Sequence, residues 1–474
     1  MNLGALSLGA KALNLAQLGI DAAGNTRGLQ ANNGALLQFK KHRQNIFTRC
    51  ANANVSLAAN YGGYTSGVQM QLAGRPVAVR IGVWNADTTG TASIKASFGF
   101  DTAMNAVNSA QSKGANVAAW NNVTWGGAAG GTIAQPASAI RPAVLFSDWV
   151  GCSAPLPTDG TAYPILHLRL LQGAAAGNAT WINGIYVPST ATEAPSLGGA
   201  GPVNRTFRGY RSTAAGDYTS ANQSAFSSNC TNAVGGYVNF IVQYACLETG
   251  VTICTHGDSV YANCAVAGVL AANGWGWTAR AVEMLHSAGL PVEFCNFGWS
   301  GQNSAQYAPR FQDLAPYIPN VLLCYQVYSS NNNMTPPLTQ ANVDAGKSAA
   351  GPNLALAQSL GMTLLLQTST PANAPGADGG IGGTSAKQYW SGDALRTGED
   401  AQIRAAGNYF YDPASVLSGA QITSGNATGQ TQYQMAATGY GANFSDPVLD
   451  GTHPNDAGQI AWATGFANYV RAIL

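Results

Sequence analysis

The sequence predicts an α/β protein. A parallel sheet covered by helices is expected over residues 248–474, preceded by a β-rich domain over 31–247 and a helical segment over 1–30. Three observations carry this. At 474 residues with 46% apolar side chains, the chain is too long for one ordinary domain and can fill two cores. From about residue 45 to 247, apolar residues recur at every second position in several stretches. After Leu247-Glu248-Thr249-Gly250 the rhythm changes to short apolar runs separated by helical stretches, the pattern of a buried parallel sheet.

The first 20 residues are mildly apolar with Lys11 in the middle. They lack the basic-then-apolar order of an export signal and read as a short amphipathic helix. Next, Val77, Val79, Ile81 and Val83 alternate with Ala78, Arg80, Gly82 and Trp84. Beyond the turn at 85–90, Ile94, Ala96, Phe98 and Phe100 alternate with Lys95, Ser97 and Gly99. The pair reads as a hairpin with one wet and one dry face. Similar alternation at 165–170, 181–187 and 237–244, with Gly/Asn/Ser-rich turns between, predicts a sandwich or jelly-roll-like domain.

The second half predicts strands at 251–256, 291–297, 320–327, 362–368 and 409–412. Helices are expected at 276–289, 303–315, 339–360 and 394–407, with Ala279, Val282 and Leu285 on one face of the first. A last helix starts at Pro454, a residue suited to the first helical position, and runs to about Ala472.

Charge and cysteine usage narrow the function. Charged residues are 9% of the chain, with 22 basic against 21 acidic and a net charge of +1. No Lys/Arg run offers a nucleic-acid footprint, and no apolar run reaches the about 18 residues of a membrane span. The 57 glycines, with much Ala, Ser, Thr and Asn, suit an extracellular or virion-associated protein. None of the eight cysteines forms a C-x-x-C pair, which argues against zinc. Cys254, Cys295 and Cys324 fall in apolar strands and read as buried thiols, whereas Cys230 and Cys246 are candidates for a disulfide in an exported chain.

Four segments fall at expected strand ends or helix starts. They are His256-Gly257-Asp258-Ser259, Asn296 to Gly301, Tyr328-Ser329-Ser330-Asn331-Asn332-Asn333, and Asp450-Gly451-Thr452-His453. A hydroxyl attacks at neutral pH only if a base takes its proton, and that imidazole needs a carboxylate to orient it. Ser259, His453 and Asp450 are the right residue types. Alone, Gly-Asp-Ser also describes a plain turn; the other three segments argue for more.

Together these segments resemble the SGNH, or GDSL-type, hydrolase family. Its marks are a Ser in a Gly-Asp-Ser turn after strand one, a Gly after strand two, an Asn after strand three and a late Asp-x-x-His. The resemblance covers the C-terminal half and leaves 1–247 untouched. It implies a flavodoxin-like three-layer α/β/α domain with a parallel sheet, working without cofactor or metal. Ser259 is then the nucleophile, His453 the base and Asp450 its orienting carboxylate. The backbone N–H groups of Ser259 and Gly301 and the Asn331 amide form the oxyanion hole. The third block departs from the family's Gly-x-Asn-Asp: Asn331 is the best match, Asn332 an alternative, and the acidic neighbour is missing. Val260 stands where the family's older name expects Leu.

Competing signals are weaker. His256 adjoins the motif as a rival base but reads as a supporting residue, His42 and His167 lie in the N-terminal half, and His286 is expected at the surface. Asp258, next to the nucleophile, is expected to hold the turn. Tyr261 occupies the last place of a would-be G-x-S-x-G, so that elbow is absent. Gly346-Lys347-Ser348 lacks the rest of a P-loop and reads as helix surface. Trp275 and Trp277 are expected in the core, and Trp299 in the pocket. The glycine-rich stretch 371–393 ends near Tyr389-Trp390 and follows the fourth strand, which makes it a candidate substrate loop. Trp299, Tyr389 and Trp390 are thus the substrate-binding candidates. The leading expectation is an esterase removing acetyl or other short acyl groups from a polysaccharide, with 31–247 as an accessory carbohydrate-binding domain. The alternatives are a phage tail or surface carbohydrate-binding protein with an incidental hydrolase-like domain, and a lipase for longer acyl esters.

Overall fold

The computed structural model describes residues 5–8, 11–14, 44–50, 54–58, 62–102, 114, 117–139, 141–155, 164–174, 179–183, 208–219, 230–232, 240–261, 277–298, 301–327, 339–367, 409–411, 413, 416, 418–421, 431–433 and 456–474. The chain divides into two compact units. One is Met1–Thr252 with Gly289–Cys295 and Pro316–Asn320; the other is Ile253–Ala288 with Asn296–Ala315 and Val321–Leu474.

The first unit is built from strands. In chain order these are β1 (Ala5–Leu8), β2 (Lys11–Asn14), β3 (Gln44–Cys50), β4 (Asn54–Ala58), β5 (Thr65–Gln71), β6 (Pro76–Asn85), β7 (Ala92–Asp101), β8 (Trp120–Asn122), β9 (Gly131–Ile133), β10 (Ala143–Phe146), β11 (Val150–Gly151), β12 (Ile165–Ala174), β13 (Ala179–Asn183), β14 (Arg208–Ser212) and β15 (Cys230–Asn232). Then come β16 (Ile241–His256) and β17 (Val292–Asn296), whose last residues belong to the second unit. One antiparallel sheet has the order β15-β14-β5-β12-β7-β8, with β9 also on β7. In the other group, β10, β6, β16 and β3 lie side by side, and β17 runs parallel to β3. Val68, Phe98 and Leu168 from the first group and Val79, Ile81 and Val242 from the second share one apolar core. On the opposite face of β12, His167 Nε2 lies 3.1 Å from Asp101 Oδ2, and the Arg169 guanidinium sits 4.0 Å over the Trp120 ring.

Three expectations are corrected here. Residues 5–8 and 11–14 pair as antiparallel strands instead of forming a helix: Leu8 pairs with Lys11 and Leu6 with Leu13. Gly4 and Gly9 count against a helix there, since glycine weakens a helix interior. Strands β6 and β7 are not a hairpin, because β6 pairs with β10, β11 and β16 while β7 pairs with β8, β9 and β12. Side chains hold the corner between them: Asn85 Nδ2 donates to the carbonyls of Gly90 (2.9 Å) and Ala134 (3.0 Å), and Asp87 N–H donates to Asn85 Oδ1 (2.9 Å). The stretch Leu247–Gly250, where the rhythm of the sequence changes, lies inside β16, where the pairing register shifts and the Asn45 amide faces the carbonyls of Cys246, Leu247 and Glu248 at 3.0–3.3 Å. Finally, Cys246 is a buried free thiol, not half of a disulfide, and burial pushes its pKa well up.

A buried ion pair ties β17 to this unit. Arg49 Nε donates to Glu293 Oε2 at 2.6 Å, while the Tyr244 hydroxyl and the Ala73 N–H donate to Glu293 Oε1. Removing one partner of a buried pair strands the other charge. Glu293→Ala is therefore expected to cost about 3–5 kcal/mol, read as an earlier midpoint in urea unfolding; an unchanged midpoint refutes the role.

The second unit adds α1 (Trp277–Ser287), α2 (Ser304–Leu314), β18 (Leu322–Tyr325), α3 (Gln340–Ser359), β19 (Thr363–Gln367), β20 (Tyr409–Tyr411), β21 (Ser418–Gln421), β22 (Thr431–Tyr433) and α4 (Asp456–Ile473). Ile253–His256 of β16 pair in parallel with β18, β18 with β19, and β19 with β20. On the other side of β16, β17 runs in the same direction: Val251 N–H donates to Pro291 O and Phe297 N–H to Thr255 O. The order β17-β16-β18-β19-β20 places the first strand between the second and third. Connections then leave β16 in opposite directions, and ligands of open α/β sheets bind at the carboxyl end of such a strand. Asn303 and Thr339 cap α2 and α3 through reciprocal bonds with Gln306 and Asn342. The Gly346-Lys347-Ser348 triplet lies within α3. Helix α1 packs against α4, and Arg280, Glu283 and also His286, expected at the surface, are buried. The helix expected at 394–407 lies outside the described residues.

Candidate active site

The segment after β16 is a tight turn. Tyr261 N–H donates to Asp258 O at 3.1 Å, and Val260 N–H donates to Asp258 Oδ1 at 3.0 Å. An Asp that bonds two residues ahead closes such a turn on itself. The carboxylate is thus committed to the backbone of its own turn, as its place beside Ser259 suggested. Ser259 stands inside this turn, 5% exposed.

Neighbouring elements grip the turn on two sides. Just after β18, Gln326 Oε1 accepts the Asp258 N–H at 2.7 Å, and Gln326 N–H donates to His256 O at 2.8 Å. Gly257 permits this approach: a Cβ there would lie 2.3 Å from Gln326 Oε1 and 2.7 Å from Gln326 Cβ. From α1, Trp277 Nε1 donates to Val260 O at 3.1 Å. The same Trp277 donates its backbone N–H to Gln459 Oε1 at 2.7 Å, and its ring stacks on Trp462 with centroids 4.6 Å apart. One indole therefore links the Ser259 turn to α4, the helix that follows the Asp450–His453 segment. Trp277 is fully buried, as expected.

The loop after β17 comes to the same sheet edge. Asn296 Oδ1 accepts the Gly298 N–H at 2.8 Å, which turns the chain away from the strand. Gly301 has a φ of 77° and is exposed, with nothing within 4 Å of a Cβ position. Its backbone conformation, rather than crowding, calls for glycine. Ser259 and Gly301 thus follow the carboxyl ends of adjoining parallel strands.

His256 is excluded as the base. Its Nε2 lies 2.9 Å from Tyr307 O, so that nitrogen carries the proton and donates it. The rings of Tyr307, Phe311 and Tyr325 surround the imidazole. Burial, reinforced by the Arg310 charge, holds its pKa well below the ordinary imidazole range. So weak a base in a closed aromatic box serves packing, since a general base works best with a pKa near the operating pH. Cys254, Cys295 and Cys324 are buried free thiols, as expected. Among the described residues no cluster of His, Cys, Asp and Glu could hold a metal ion, and no helix is long and apolar enough to cross a membrane.

His453, Asp450, Asn331, Asn332, Trp299, Tyr389, Trp390, Trp275 and His42 lie outside the described residues. The structural partners Gln326, Trp277 and Arg310 were not singled out for these roles from sequence. Gln326 does leave a trace, as a polar residue at the end of an apolar run.

Nearly half of the chain is similar to GDSL-type lipolytic proteins and esterases of known structure. A GDSL-like lipase from Bacteroides thetaiotaomicron is 15% identical, matching 47% of this chain and 89% of its own, with a TM-score of 0.30. A lipolytic G-D-S-L family member from Veillonella parvula is 16% identical over 48% of this chain and 100% of its own, with a TM-score of 0.31. An acetyl xylan esterase from Geobacillus stearothermophilus is 15% identical over 47% and 94%, with a TM-score of 0.31. No protein-family model matches the chain, and no curated protein matches it.

The turn geometry sets a stability test. Asp258→Ala removes the acceptor for Val260 N–H and is expected to cost about 1–2 kcal/mol, seen as a lower thermal midpoint. Asp258→Asn keeps an acceptor and is expected to recover most of that loss. Equal midpoints for the two variants would contradict the assignment. Gly257→Ala, with nowhere to place its methyl, should destabilise by about 1–3 kcal/mol in the same assay.

Proposed function

We propose that residues 248–474 form a serine ester hydrolase in which Ser259 is the nucleophile, His453 the general base and Asp450 its orienting carboxylate. Ser259 attacks the ester carbonyl and His453 takes its proton, later delivering it to the leaving alkoxide. Water then attacks the acyl-enzyme with His453 again as base, releasing the acid and freeing Ser259. The N–H groups of Ser259 and Gly301 and the side-chain amide of Asn331 receive the oxyanion.

The observation that carries this reading is the double attachment of Trp277. Its indole bonds the Ser259 turn at Val260 O, and its main chain bonds Gln459 on α4. His453 lies three positions before Asp456, the first residue of that helix. The attachment supports a base delivered next to the nucleophile from a distant part of the sequence. The convergence of the Ser259 and Gly301 segments at the strand-order reversal supports it further, because ligands of such sheets bind there.

The substrate in this proposal is a polysaccharide carrying acetyl or other short acyl groups. Residues 31–247 act as an accessory carbohydrate-binding domain, and Trp299, Tyr389 and Trp390 contact the sugar or acyl group. Hydrolysis of p-nitrophenyl acetate tests the chemistry: Ser259→Ala and His453→Ala should each lower kcat by at least about a thousandfold. A serine-reactive phosphonate should add its mass to a peptide containing Ser259. Full activity in Ser259→Ala would refute the nucleophile, and an inert wild-type chain would favour a binding protein with an incidental hydrolase-like domain. Acetyl esters should outpace octanoyl esters; the reverse order indicates a lipase. Trp390→Ala should raise KM for an acetylated oligosaccharide without altering the thermal midpoint, whereas an unchanged KM removes Trp390 from the substrate site.

A further inference from the structure

Arg310 is fully buried in α2, at 0% exposure. Its Nη2 donates to Phe297 O at 2.9 Å, and its Nη1 donates to Gln302 Oε1 at 3.3 Å. These two acceptors stand at the start and end of one segment, Phe297–Gln302, and that segment contains Gly301.

Burying a guanidinium costs several kcal/mol before its partners offset it. The planar fork compensates by offering several donors in fixed directions, so one side chain can hold separate groups. Other bonds restrict the same segment. Asn296 Oδ1 accepts the Gly298 N–H just after Phe297. Asn303, immediately after Gln302, caps α2 in a capping box with Gln306. Within the same segment Gly301 takes the left-handed conformation, φ 77°.

We propose that Arg310 is a positioning residue for oxyanion stabilisation, clamping both ends of the segment that presents the Gly301 N–H. This rests on the reading of Ser259 as nucleophile and Gly301 as donor. The clamp touches no substrate. It keeps the donor preorganised where negative charge develops, and such a donor acts on the transition state more than on the bound ester.

Arg310→Met, Arg310→Lys and Gln302→Ala test it with p-nitrophenyl acetate. Arg310→Met is expected to lose about a hundredfold in kcat, the scale of one oxyanion donor, with KM changed less than about threefold. Arg310→Lys keeps a cationic donor and is expected to lose about tenfold; Gln302→Ala, which removes one of the two acceptors, should lose a similar factor. The rate of Ser259 phosphonylation should fall in step with kcat/KM across the series. The proposal is overturned if Arg310→Met keeps kcat within about threefold of wild type, or if KM takes the loss and lysine restores nothing. Should Arg310→Met not fold, the lysine and Gln302 variants carry the test, and wild-type kcat in both overturns it. Failure of the parent reading looks different, since wild type itself would be inert or Ser259→Ala would retain its rate.

Discussion

The bond from the Asp258 N–H to Gln326 Oε1 is the constraint on which the candidate site depends. A parallel strand that ends in a turn leaves backbone donors with no ladder partner, and buried donors must find one. Here the partner is a side chain just past the neighbouring strand, admitted only because residue 257 has no Cβ. Gln326 is itself held, since the Tyr307 hydroxyl donates to its carbonyl at 2.6 Å. The turn that carries Ser259 closes on its own Asp258 but takes its position from Gln326, just after β18, and from Trp277 of α1.

The same logic explains why so many polar groups lie buried around the Ser259 turn. His256, Asp258, Asn296, Gln326, Tyr307 and Arg310 are all within the unit's interior. In a low-dielectric interior each bond in a satisfied network is stronger, and each missing partner is costly. Such a network favours one arrangement over near alternatives. Hydrolysis of an ester needs that rigidity, because an oxyanion donor works only where the charge will form.

Much of this was legible in the sequence. The α2, α3 and α4 helices and the parallel strands follow from periodicity. Asp258 as the turn's brace follows from its place beside Ser259. Other features were not legible. The period of β6 and β7 shows which faces are apolar but not whether they meet in one sheet or across a core; the latter holds. His286 is buried although it was expected at the surface, because what covers each face of a helix is set by elements distant in the chain. Residues 5–14 could satisfy either period, and the pairing of Leu6 with Leu13 decided for strands.

By itself the sequence determined the residue types and the local geometry: strands that end in glycine turns, capped helices, and a serine beside a carboxylate that locks its own backbone. These are short-range matters of dihedral preference and hydrogen bonds a few residues apart. Only the tertiary structure decided that His256 is a neutral packing residue, that Trp277 joins the Ser259 turn to α4, and that Arg310 spans both ends of the Gly301 segment. Those outcomes depend on which buried donor reaches which acceptor across elements distant in the chain, and no local pattern encodes that pairing.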